Sequence, residues 1–472
     1  MTRRPTELLT PAEMGRADAL AAAAGIPGAR LMAAAGRAVA RAAQRRFRPC
    51  RTLVLAGPGN NGGDGYVAAR LLEAAGWPVA VAALAPPRPG SDAAAAAARW
   101  RGPMLPFAPA EAARAGLVID AVFGAGLSRP VECLVAATLA AATAPILAVD
   151  VPSGLDGGSG QPRGQVAAAA LTVTFFRLKP GHLLLPGREL CGETLLADIG
   201  LPAAVLEAIA PRARANAPGL WLLPALAAGS HKYTRGHLTI LGGAAMTGAT
   251  RLAAGAAHRA GAGLVTIRAP DAAAAALYRA GDPGSIVTEE PLEALLGDAR
   301  RRCWLIGPGL PPDAATQAML RRLVGAGRQV VADAGALGGD LSGAAVLTPH
   351  AGEFARAFGA PGPDKPAAAR RAAAATGAVV LLKGADTVVA APDGRVIVNH
   401  NAAPELATGG SGDVLAGTIA ALLTQGMPAF EAAAAGAWLQ GEAARLHGPG
   451  LLAEDLIPLL PRAACNAAAQ AL

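Results

Sequence analysis

Two series of continuous apolar runs, separated by a proline- and alanine-rich stretch, constrain the fold of this chain more than any other feature. Apolar runs without polar alternation are typical of strands buried on both faces of a parallel sheet. The segments between the runs are long enough for crossover helices, so the first series predicts a Rossmann-like α/β domain of three layers. The runs of this series begin at Thr52, Pro78, Gly116, Ala144 and Ala170.

The second series predicts another α/β domain with its own core. Its runs begin at His237, Leu264, Cys303, Gln329, Ala344, Ala378 and Arg395. The stretch after Ile199, LPAAVLEAIAPRARANAPGLWLLPAL, is interpreted as a linker region. We therefore expect a first domain over residues 1–215, with the linker at its end, and a second over residues 216–472. A chain of 472 residues agrees with this division, because single cores rarely grow beyond about 250–300 residues.

The composition excludes several classes of protein. Hydrophobic residues make up 53% of the chain and charged residues 16%, which is typical of a globular protein. The net charge is +8, but the basic residues are scattered and aromatic residues reach only 3%, so nucleic-acid binding is not expected. The five cysteines are dispersed without a C-x-x-C pair, which argues against a structural zinc site. The absence of an apolar signal core and of membrane-length apolar runs predicts a cytoplasmic protein with no membrane partner.

Three predicted strands of the first domain end in polar or glycine-rich loops. These loops are AGPGNNGGDG (56–65), DAVFGAGLSRP (120–130) and DVPSGLD (150–156). Because the carboxyl ends of parallel strands meet at one edge of a sheet, we expect the three loops to form one ligand crevice. The glycines of the first loop let the backbone approach a phosphate, and a helix predicted to begin near Tyr66 offers free N–H groups to an anion.

These loops resemble, in amino-acid sequence and spacing, those of the NAD(P)HX epimerase family. The segments LLTPAEM (8–14) and LTVTFFRLKPG (171–181) fit the family as well, so the resemblance covers roughly residues 8–200. It implies that this domain interconverts the R and S epimers of hydrated NADH or NADPH. Asp150 is then the candidate proton-transfer group, assisted by Lys179.

The resemblance also implies ligand positions. Asn61, Asp120 and Ser153 match positions that bind a potassium ion in the family, and their oxygen atoms suit a hard cation. One departure is Ala33, which stands where the family usually carries a glutamate. The positions that match the substrate-binding residues are Asn60, Asn61, Gly62, Gly63, Asp64, Gly124, Ala125, Gly126, Leu127, Ser128, Arg129, Pro130 and Asp150.

The clearest motif of the second domain is ATGGSGDVLAG (407–417), followed by a helical run. Glycines followed by an aspartate at a helix start build an anion cradle from backbone N–H groups, with a carboxylate beside it. We interpret Asp413 as the general base that removes a proton from an attacking hydroxyl; a helix-capping aspartate is the alternative. The segment KGADTVV (383–389) follows a predicted strand and places Lys383, a compact cation, beside a nucleotide phosphate.

The order of motifs in this domain resembles the ribokinase-like superfamily and, within it, the NAD(P)HX dehydratase branch. HKYTRGHLTILGG, IGPGL, LTPHAGEFARAF and LLKGADT precede the Gly-Ser-Gly-Asp loop, and the resemblance covers about residues 225–465. It implies that a nucleotide, ADP in similar bacterial proteins, phosphorylates the hydroxyl of S-NAD(P)HX with Mg²⁺ present, and that loss of phosphate regenerates NAD(P)H.

By this resemblance the substrate-binding positions are Ala249, Gly309, His350 and Asp413, and the nucleotide-binding positions are Lys383, Gly384, Ala385, Asp386, Thr387 and Gly412. One departure lies in VVADAGAL (330–337), where the family tends to have two acids and this chain has Asp333 and then Gly335.

Two alternatives to a bifunctional repair enzyme stay open. The first is a ribokinase-like kinase for a small vitamin-like alcohol, with an N-terminal domain that only binds; its product would be a stable phosphate ester. The second is a first domain that senses the cofactor without catalysis. The sequence also leaves open ADP against ATP, NADHX against NADPHX, and the number of subunits, although a homo-oligomer is expected.

Overall fold

The computed structural model describes residues 5–127 and 129–471. The chain divides into two compact units, an N-terminal unit up to Arg214 and a C-terminal unit from Ala215 onward. No helix in the described ranges is both long enough and apolar enough to cross a membrane.

The N-terminal unit is built around a parallel sheet. Two short strands, β1 (Glu7–Leu8) and β9 (Ala213–Ala215), lie outside this sheet, and β9 spans the boundary between the units. The strands of the sheet are β2 (Thr52–Ala56), β3 (Val79–Ala83), β4 (Met104–Leu105), β5 (Leu117–Ala121), β6 (Ile146–Val149), β7 (Leu171–Phe175) and β8 (Glu193–Ala197). The α-helices of the unit are α1 (Pro11–Ala23), α2 (Gly28–Arg46), α3 (Asn60–Ala74), α4 (Asp92–Ala97), α5 (Pro109–Ala113), α6 (Cys133–Ala140), α7 (Gly187–Cys191) and α8 (Val205–Ile209), with a 3-10 helix at Pro180–His182.

The sheet order β4-β3-β2-β5-β6-β7-β8 confirms the Rossmann-like prediction, because every neighbouring pair is parallel and the order reverses between β2 and β5. Both faces of the sheet are buried. Val54 of β2 packs into one apolar cluster with residues of α2, whereas its neighbours Leu53 and Leu55 pack into another with residues of α5 and α6. Alternation along one strand therefore produces the three layers.

Two details of this unit differ from the sequence-based expectation. The helix expected near Tyr66 begins at Asn60, so NNGGDG forms its first turns. A Cβ on Gly62 would lie 1.9 Å from the carbonyl oxygen of Gly57, so a glycine here lets the helix start directly against the preceding loop. The stretch interpreted as a linker contains α8 and β9, and β9 pairs antiparallel with β1. Local composition missed these elements because their partners lie far away in sequence.

The C-terminal unit is a second, mostly parallel α/β structure. Its strands are β10 (His237–Leu241), β11 (Leu264–Arg268), β12 (Ile286–Thr288), β13 (Cys303–Ile306), β14 (Gln329–Ala332), β15 (Val346–Leu347), β16 (Val379–Leu382), β17 (Val388–Ala390) and β18 (Val396–Val398). Its α-helices are α9 (Thr247–Arg259), α10 (Ala272–Arg279), α11 (Leu292–Gly297), α12 (Ala314–Gly325), α13 (Ala351–Phe358), α14 (Lys365–Thr376), α15 (Ser411–Thr424), α16 (Ala429–His447) and α17 (Ala453–Ala471), with 3-10 helices at Ala334–Ala336 and Pro404–Leu406.

The strands of this unit run in the order β12-β11-β10-β13-β14-β15-β16-β17-β18, and the last two pairs are antiparallel. Helix α15 lies in the core, because every residue from Val414 to Leu423 is buried. A helix that is apolar on all sides requires such a position. A Cβ on Gly417 would lie 2.1 Å from the carbonyl oxygen of Ala253, so this glycine permits the close packing of α15 on α9. That packing fixes the start of α15, where the Gly-Ser-Gly-Asp loop ends.

Candidate active sites

Asp150 is the centre of a hydrogen-bond network at the carboxyl end of β6. Its Oδ1 accepts hydrogen bonds from Lys179 Nζ at 2.6 Å and from Thr174 Oγ1 at 3.0 Å. Its Oδ2 accepts from the backbone N–H of Ala125 at 2.8 Å. Asp150 also adopts φ +70°, a backbone conformation uncommon for residues other than glycine. Strained residues of this kind cluster at functional sites, which agrees with the catalytic role predicted for Asp150.

Lys179 and His182 hold this carboxylate ionised and in place. The Lys179 side chain is 1% exposed, and its backbone N–H donates to His182 Nδ1 at 2.9 Å. The proton of the neutral imidazole therefore lies on Nε2, which contacts the carbonyl oxygen of Asp150 at 2.9 Å. Burial and the Lys179 charge lower the pKa of His182 to about 4. Burial raises the pKa of Asp150, but the Lys179 ammonium and the Ala125 N–H outweigh it and hold this pKa at about 2.

The predicted potassium ligands are placed at the same edge of the sheet. Asp120 is the penultimate residue of β5, and its Oδ1 and Oδ2 accept from Ser153 Oγ at 2.6 Å and Ser153 N at 2.8 Å. Within the described ranges no basic side chain pairs with Asp120, although it is 1% exposed. Asn61 is not hydrogen-bonded to this pair, and its Nδ2 is buried without a partner. A Cβ on Gly124 would lie 2.9 Å from Asp150 Oδ2 and 3.4 Å from Asn61 Oδ1, so Gly124 allows these two side chains to approach.

A cavity of about 700 Å³ opens beside Asp150. Predicted site residues on its wall are Asn60, Asn61, Asp64, Gly124, Ala125, Gly126, Leu127, Arg129, Asp150 and Lys179. Gly62, Gly63 and Pro130 are not among its lining residues, and Ser128 lies outside the described residues. A Cβ on Gly63 would lie 2.6 Å from the Met32 side chain, so Gly63 serves helix packing.

The sequence missed part of this wall. Asp18 of α1 lines the cavity, as does Met14 of the LLTPAEM segment. The only indication in the sequence that α1 belongs to the site was the resemblance of LLTPAEM to the epimerase family. Ala33 of α2 does not line the cavity, although its helix neighbours Met32 and Ala35 do.

Asp413 lies in the first turn of α15, after Gly410, which caps the helix with φ +90°. Burial and the nearby carboxylate of Asp333 raise the pKa of Asp413 to about 6, although Lys383 opposes them. Such a carboxylate is ionised at neutral pH yet basic enough to accept a proton, as a general base must be. The structure places Gly412 beside it, where an added Cβ would lie 3.2 Å from Lys383 Nζ.

Lys383 lies among three carboxylates of this site, those of Asp333, Glu353 and Asp413. Its Nζ lies 2.7 Å from Asp333 Oδ1 and 3.7 Å from Glu353 Oε2. Burial lowers the pKa of Lys383, but Asp333 and Glu353 outweigh it and raise this pKa above its usual value. Lys383 therefore remains charged, and it neutralises acids around Asp413. The sequence did not identify Glu353 as part of this cluster.

The remainder of the predicted nucleotide loop is ordered by its own contacts. The Oγ1 of Thr387 accepts from the Gly384 N–H at 3.1 Å and donates to the Gly384 carbonyl at 2.7 Å. Asp386 pairs with Lys365 of α14, whose Nζ lies 2.6 Å from Asp386 Oδ1. Lys365 was not singled out in the sequence, because nothing local connects α14 to this loop.

The predicted substrate positions Ala249 and Gly309 are held near each other by buried hydroxyl groups. Thr250 Oγ1, next to Ala249 on α9, donates to the Pro308 carbonyl at 2.9 Å. Tyr278 Oη donates to the Gly243 carbonyl at 2.5 Å. The Tyr278 hydroxyl also lies 3.3 Å from Thr250 Oγ1, so the two hydroxyl groups connect the loops after β10 and β13. The sequence missed Tyr278, although a tyrosine inside an alanine-rich helix in a chain with three tyrosines is a usable signal.

His350 has a structural role in addition to its predicted ligand contact. Its Nδ1 accepts from the backbone N–H groups of Gly352 at 3.0 Å and Glu353 at 3.3 Å, so it caps α13. The side chain is 56% exposed, which leaves the ring accessible. Contact between His350 and substrate stays a prediction.

The position of the missing second acid is closed to any side chain. A Cβ on Gly335 would lie 2.1 Å from the carbonyl oxygen of Leu310 and 2.9 Å from its carbonyl carbon. An acid at 335 would require the loop after β13 to move. The glycine that replaces the second acid of the family at position 335 therefore fits the local packing, which leaves no room for a side chain.

Both parts of the chain match known families. Residues 28–181 match the family described as YjeF-related protein N-terminus, and residues 238–461 match the family described as NAD(P)H-hydrate dehydratase. The bifunctional NAD(P)H-hydrate repair enzyme Nnr of Pyrobaculum aerophilum is 39% identical over 97% of this chain and 98% of its own length. Proteins of the same name from Moorella thermoacetica and Escherichia coli are 37% and 36% identical, over 96% and 89% of this chain and 96% and 88% of their own lengths.

The solved structure of ADP/ATP-dependent NAD(P)H-hydrate dehydratase from Bacillus subtilis, co-crystallized with ATP/Mg2+, is 31% identical to this chain. It aligns with a TM-score of 0.48 and covers 52% of this chain and 95% of its own chain.

Proposed function

This chain belongs to the family of bifunctional NAD(P)H-hydrate repair enzymes, and we propose how its residues divide the two activities. The N-terminal unit epimerises R- and S-NAD(P)HX, and the C-terminal unit uses a nucleotide to dehydrate S-NAD(P)HX to NAD(P)H. The observation that carries this proposal is that each unit holds a lysine against an aspartate, with one partner of each pair buried: Lys179 lies 2.6 Å from Asp150, and Lys383 lies 2.7 Å from the buried Asp333. The first pair includes Asp150, beside the glycine-rich loop at 124–126, and the second lies beside Gly412 and the predicted general base Asp413.

In the N-terminal unit, Asp150 is the proton-transfer group. Its ionised state, maintained by Lys179, suits the acceptance of a proton from the substrate hydroxyl. The loops at Asn60–Asp64 and Gly124–Pro130 bind the substrate, and the cavity of about 700 Å³ has the size expected for a small-molecule site.

A potassium ion at Asn61, Asp120 and Ser153 fits the donor set of this unit. The support is the buried carboxylate of Asp120, which has no basic partner in the described ranges. Amide, carboxylate and hydroxyl oxygens are ligands for hard cations. The bound cation would neutralise Asp120 and hold the loops that carry Asn61 and Ser153.

In the C-terminal unit, Asp413 accepts the proton of the substrate hydroxyl as that oxygen attacks the terminal phosphate of the nucleotide. The backbone N–H groups of Gly410–Gly412 stabilise the charge that develops on the phosphate. Ala249, Gly309 and His350 contact the substrate. The nucleotide is held by Lys383, Gly384, Ala385, Asp386, Thr387 and Gly412.

ADP is the expected donor, with ATP as the alternative. Mg²⁺ binds through one or two carboxylates together with phosphates, and the Asp333 carboxylate beside Gly412 offers such a ligand. Bound with the nucleotide, it would neutralise phosphate charge. Cytoplasmic location and assembly as a homo-oligomer stay predictions.

The test is to mix the purified chain with both epimers of hydrated NADH, Mg²⁺ and either ADP or ATP, and to follow the absorbance of reduced nicotinamide. The wild-type chain should convert both epimers, and Asp150→Asn should stop once the S epimer is consumed. Asp413→Asn should give no NADH. Asp340→Asn, which changes an exposed aspartate whose Oδ1 accepts from the Ser342 N–H, is the matched control. Both epimers left intact by the wild type contradict the proposal, and a stable phosphate ester supports the kinase alternative.

A further inference from the structure

Asp64 is a buried carboxyl group that nothing in the described residues satisfies. It lies on α3, is 8% exposed and lines the cavity beside Asp150. No hydrogen bond or ion pair joins its side chain to another described residue. A native buried polar group without a partner is rare and calls for an explanation. Because this group faces the cavity, its partner is expected to be the substrate.

The surroundings of Asp64 oppose its ionisation. The charged residues on the cavity wall are Asp18 of α1, Asp92 of α4, Arg129 after β5, Asp150 after β6 and Lys179 after β7. Helix α2 contributes only uncharged residues to the wall: Gly28, Leu31, Met32 and Ala35. Burial, then the negative charges of Asp150 and Asp18, raise the pKa of Asp64 well above its usual value. The cavity therefore presents to one ligand a carboxyl group that favours its protonated form and an ionised carboxylate.

Two carboxyl groups held in opposite protonation states are a recurrent arrangement for acid–base catalysis. The proposed reaction needs one of each. Hydration of the reduced nicotinamide places the hydroxyl on the ring carbon bonded to the ring nitrogen, so that carbon is a hemiaminal. The epimers differ in configuration there, and inverting it requires one of its bonds to break and form again.

We propose that Asp64 is the general acid of epimerisation and acts with Asp150 as the base; this inference rests on the proposed function of the N-terminal unit. Asp150 removes the hydroxyl proton, the C–O bond becomes a carbonyl, and the C–N bond breaks with its electron pair on nitrogen. Asp64 supplies the proton that the nitrogen takes up. Ring closure on the other face of the carbonyl reverses both transfers and restores both carboxyl groups, so neither water nor an oxidant is consumed.

The two basic groups on the wall are poorer proton donors, and the two other carboxyl groups besides Asp150, those of Asp18 and Asp92, are exposed. Lys179 is 1% exposed and its ammonium donates to Asp150 and Thr174. Arg129 is 71% exposed, and a guanidinium does not release its proton in proteins. Asp64 combines burial, a position on the cavity and the lack of a hydrogen-bond or ion-pair partner among the described residues.

The experiment follows pure R-NADHX by chiral chromatography in the full chain carrying Asp413→Asn, so that dehydration does not remove product. Adding Asp64→Asn should lower kcat for epimerisation by about 100-fold or more, the usual range for a lost general acid, and leave KM within about threefold. Asp198→Asn, an exposed aspartate that bonds the Gly200 N–H, is the matched control and should retain the parent rate. In a chain with Asp413 intact, Asp64→Asn should still dehydrate the S epimer, which verifies folding of the C-terminal unit.

A second measurement does not depend on the variant. Because the protonated form of Asp64 is required, the parent rate should fall as pH rises through the raised pKa of this group, and Asp64→Asn should lose that decline. An unchanged kcat in the variant, a rise in KM alone, or a parent rate with no decline between about pH 5 and pH 10 overturns the assignment. No epimerisation by the parent chain overturns the proposed function of this unit as well.

Discussion

Lys179 Nζ lies 2.6 Å from Oδ1 of Asp150, and the lysine side chain is 1% exposed. Burying a charged pair carries a desolvation penalty that the attraction between the charges often only balances. The functional effect of this pair is on the protonation of Asp150: the lysine keeps the carboxyl group ionised, although burial alone would favour its neutral form. The pair therefore links the stability of the N-terminal unit to its chemistry.

Lys179→Met should destabilise the N-terminal unit by about 3–5 kcal/mol, because it leaves the Asp150 carboxylate buried without its cation. Epimerisation should be lost with it. Urea denaturation measures the first effect. Since removal of both charges leaves no unpaired ion, the double variant Lys179→Met/Asp150→Asn should lose less stability than the two single variants added together. Additive losses would show that the pair is not coupled.

The Asp150 pair should also give a defined acid dependence of stability. Its folded pKa of about 2 lies below the unfolded value of 3.8, so the folded state favours the carboxylate. This contribution to stability is present above pH 3.8 and is lost as pH falls through about 2. Unfolding between pH 5 and about 2 should therefore depend less on pH in Asp150→Asn than in the wild type. Identical slopes for the two proteins would contradict the assigned shift.

Ionisation of Asp413 should control how the rate of dehydration depends on pH below neutrality. With a folded pKa of about 6, it is protonated and inactive below that pH, so kcat/KM for the S epimer should rise through about pH 6.

The raised pKa of Asp413 also means that its ionisation destabilises the fold, so the free energy of unfolding declines as pH rises from 3.8 through about 6. Asp413→Asn should remove that decline and have the higher melting temperature at pH 8, despite its inactivity. A lower melting temperature would contradict this account.

Lys383→Met should shift the rise of the dehydration rate with pH to higher pH. The lysine charge lowers the pKa of Asp413, whereas Asp333 and Glu353 raise it. Without the cation, three carboxylates face one another, so dehydration should require a pH clearly above 6. The pH profile of kcat separates this effect from weaker nucleotide binding, which changes KM. Urea denaturation at each pH verifies that the variant is folded.

Gly335 should not tolerate restoration of the second acid. A Cβ there would lie 2.1 Å from the Leu310 carbonyl oxygen, so Gly335→Asp and Gly335→Ala should each lose about 1–3 kcal/mol through steric strain. Gly338→Ala is the control, because its nearest contact would be an ordinary 3.5 Å from Gln317 Nε2. Urea denaturation of the three variants decides the matter. Equal stability of all three would show that the loop after β13 adjusts freely.

Tyr278→Phe should weaken substrate binding by the C-terminal unit. It leaves the buried Gly243 carbonyl without the hydroxyl that donates to it, which costs about 1–3 kcal/mol. Because the loops near Ala249 and Gly309 lose this anchor, KM for S-NADHX should rise while KM for the nucleotide stays unchanged. Parallel increases in both constants would instead indicate general loosening of the unit.

The sequence by itself determined the two α/β units, because short apolar runs without alternation, separated by segments long enough for helices, are typical of parallel strands covered on both faces. It also singled out Asp150, Asp120 and Asp413 as candidate site residues, because each lies at the carboxyl end of a predicted strand or at the start of a predicted helix after glycines; their roles stay predictions. The confirmed family membership rests on the same segments, above all NNGGDG and the Gly-Ser-Gly-Asp loop.

Only the tertiary structure decided which charges meet. Lys179 lies 29 residues from Asp150, and Lys383 lies 50 residues from Asp333, so no local pattern links them. The structure likewise showed that Asp64 has no partner among the described residues and that Gly335 is closed to a side chain. Protonation state depends on burial and on neighbours brought together by the sheet. These quantities arise in the folded chain and have no counterpart in local sequence.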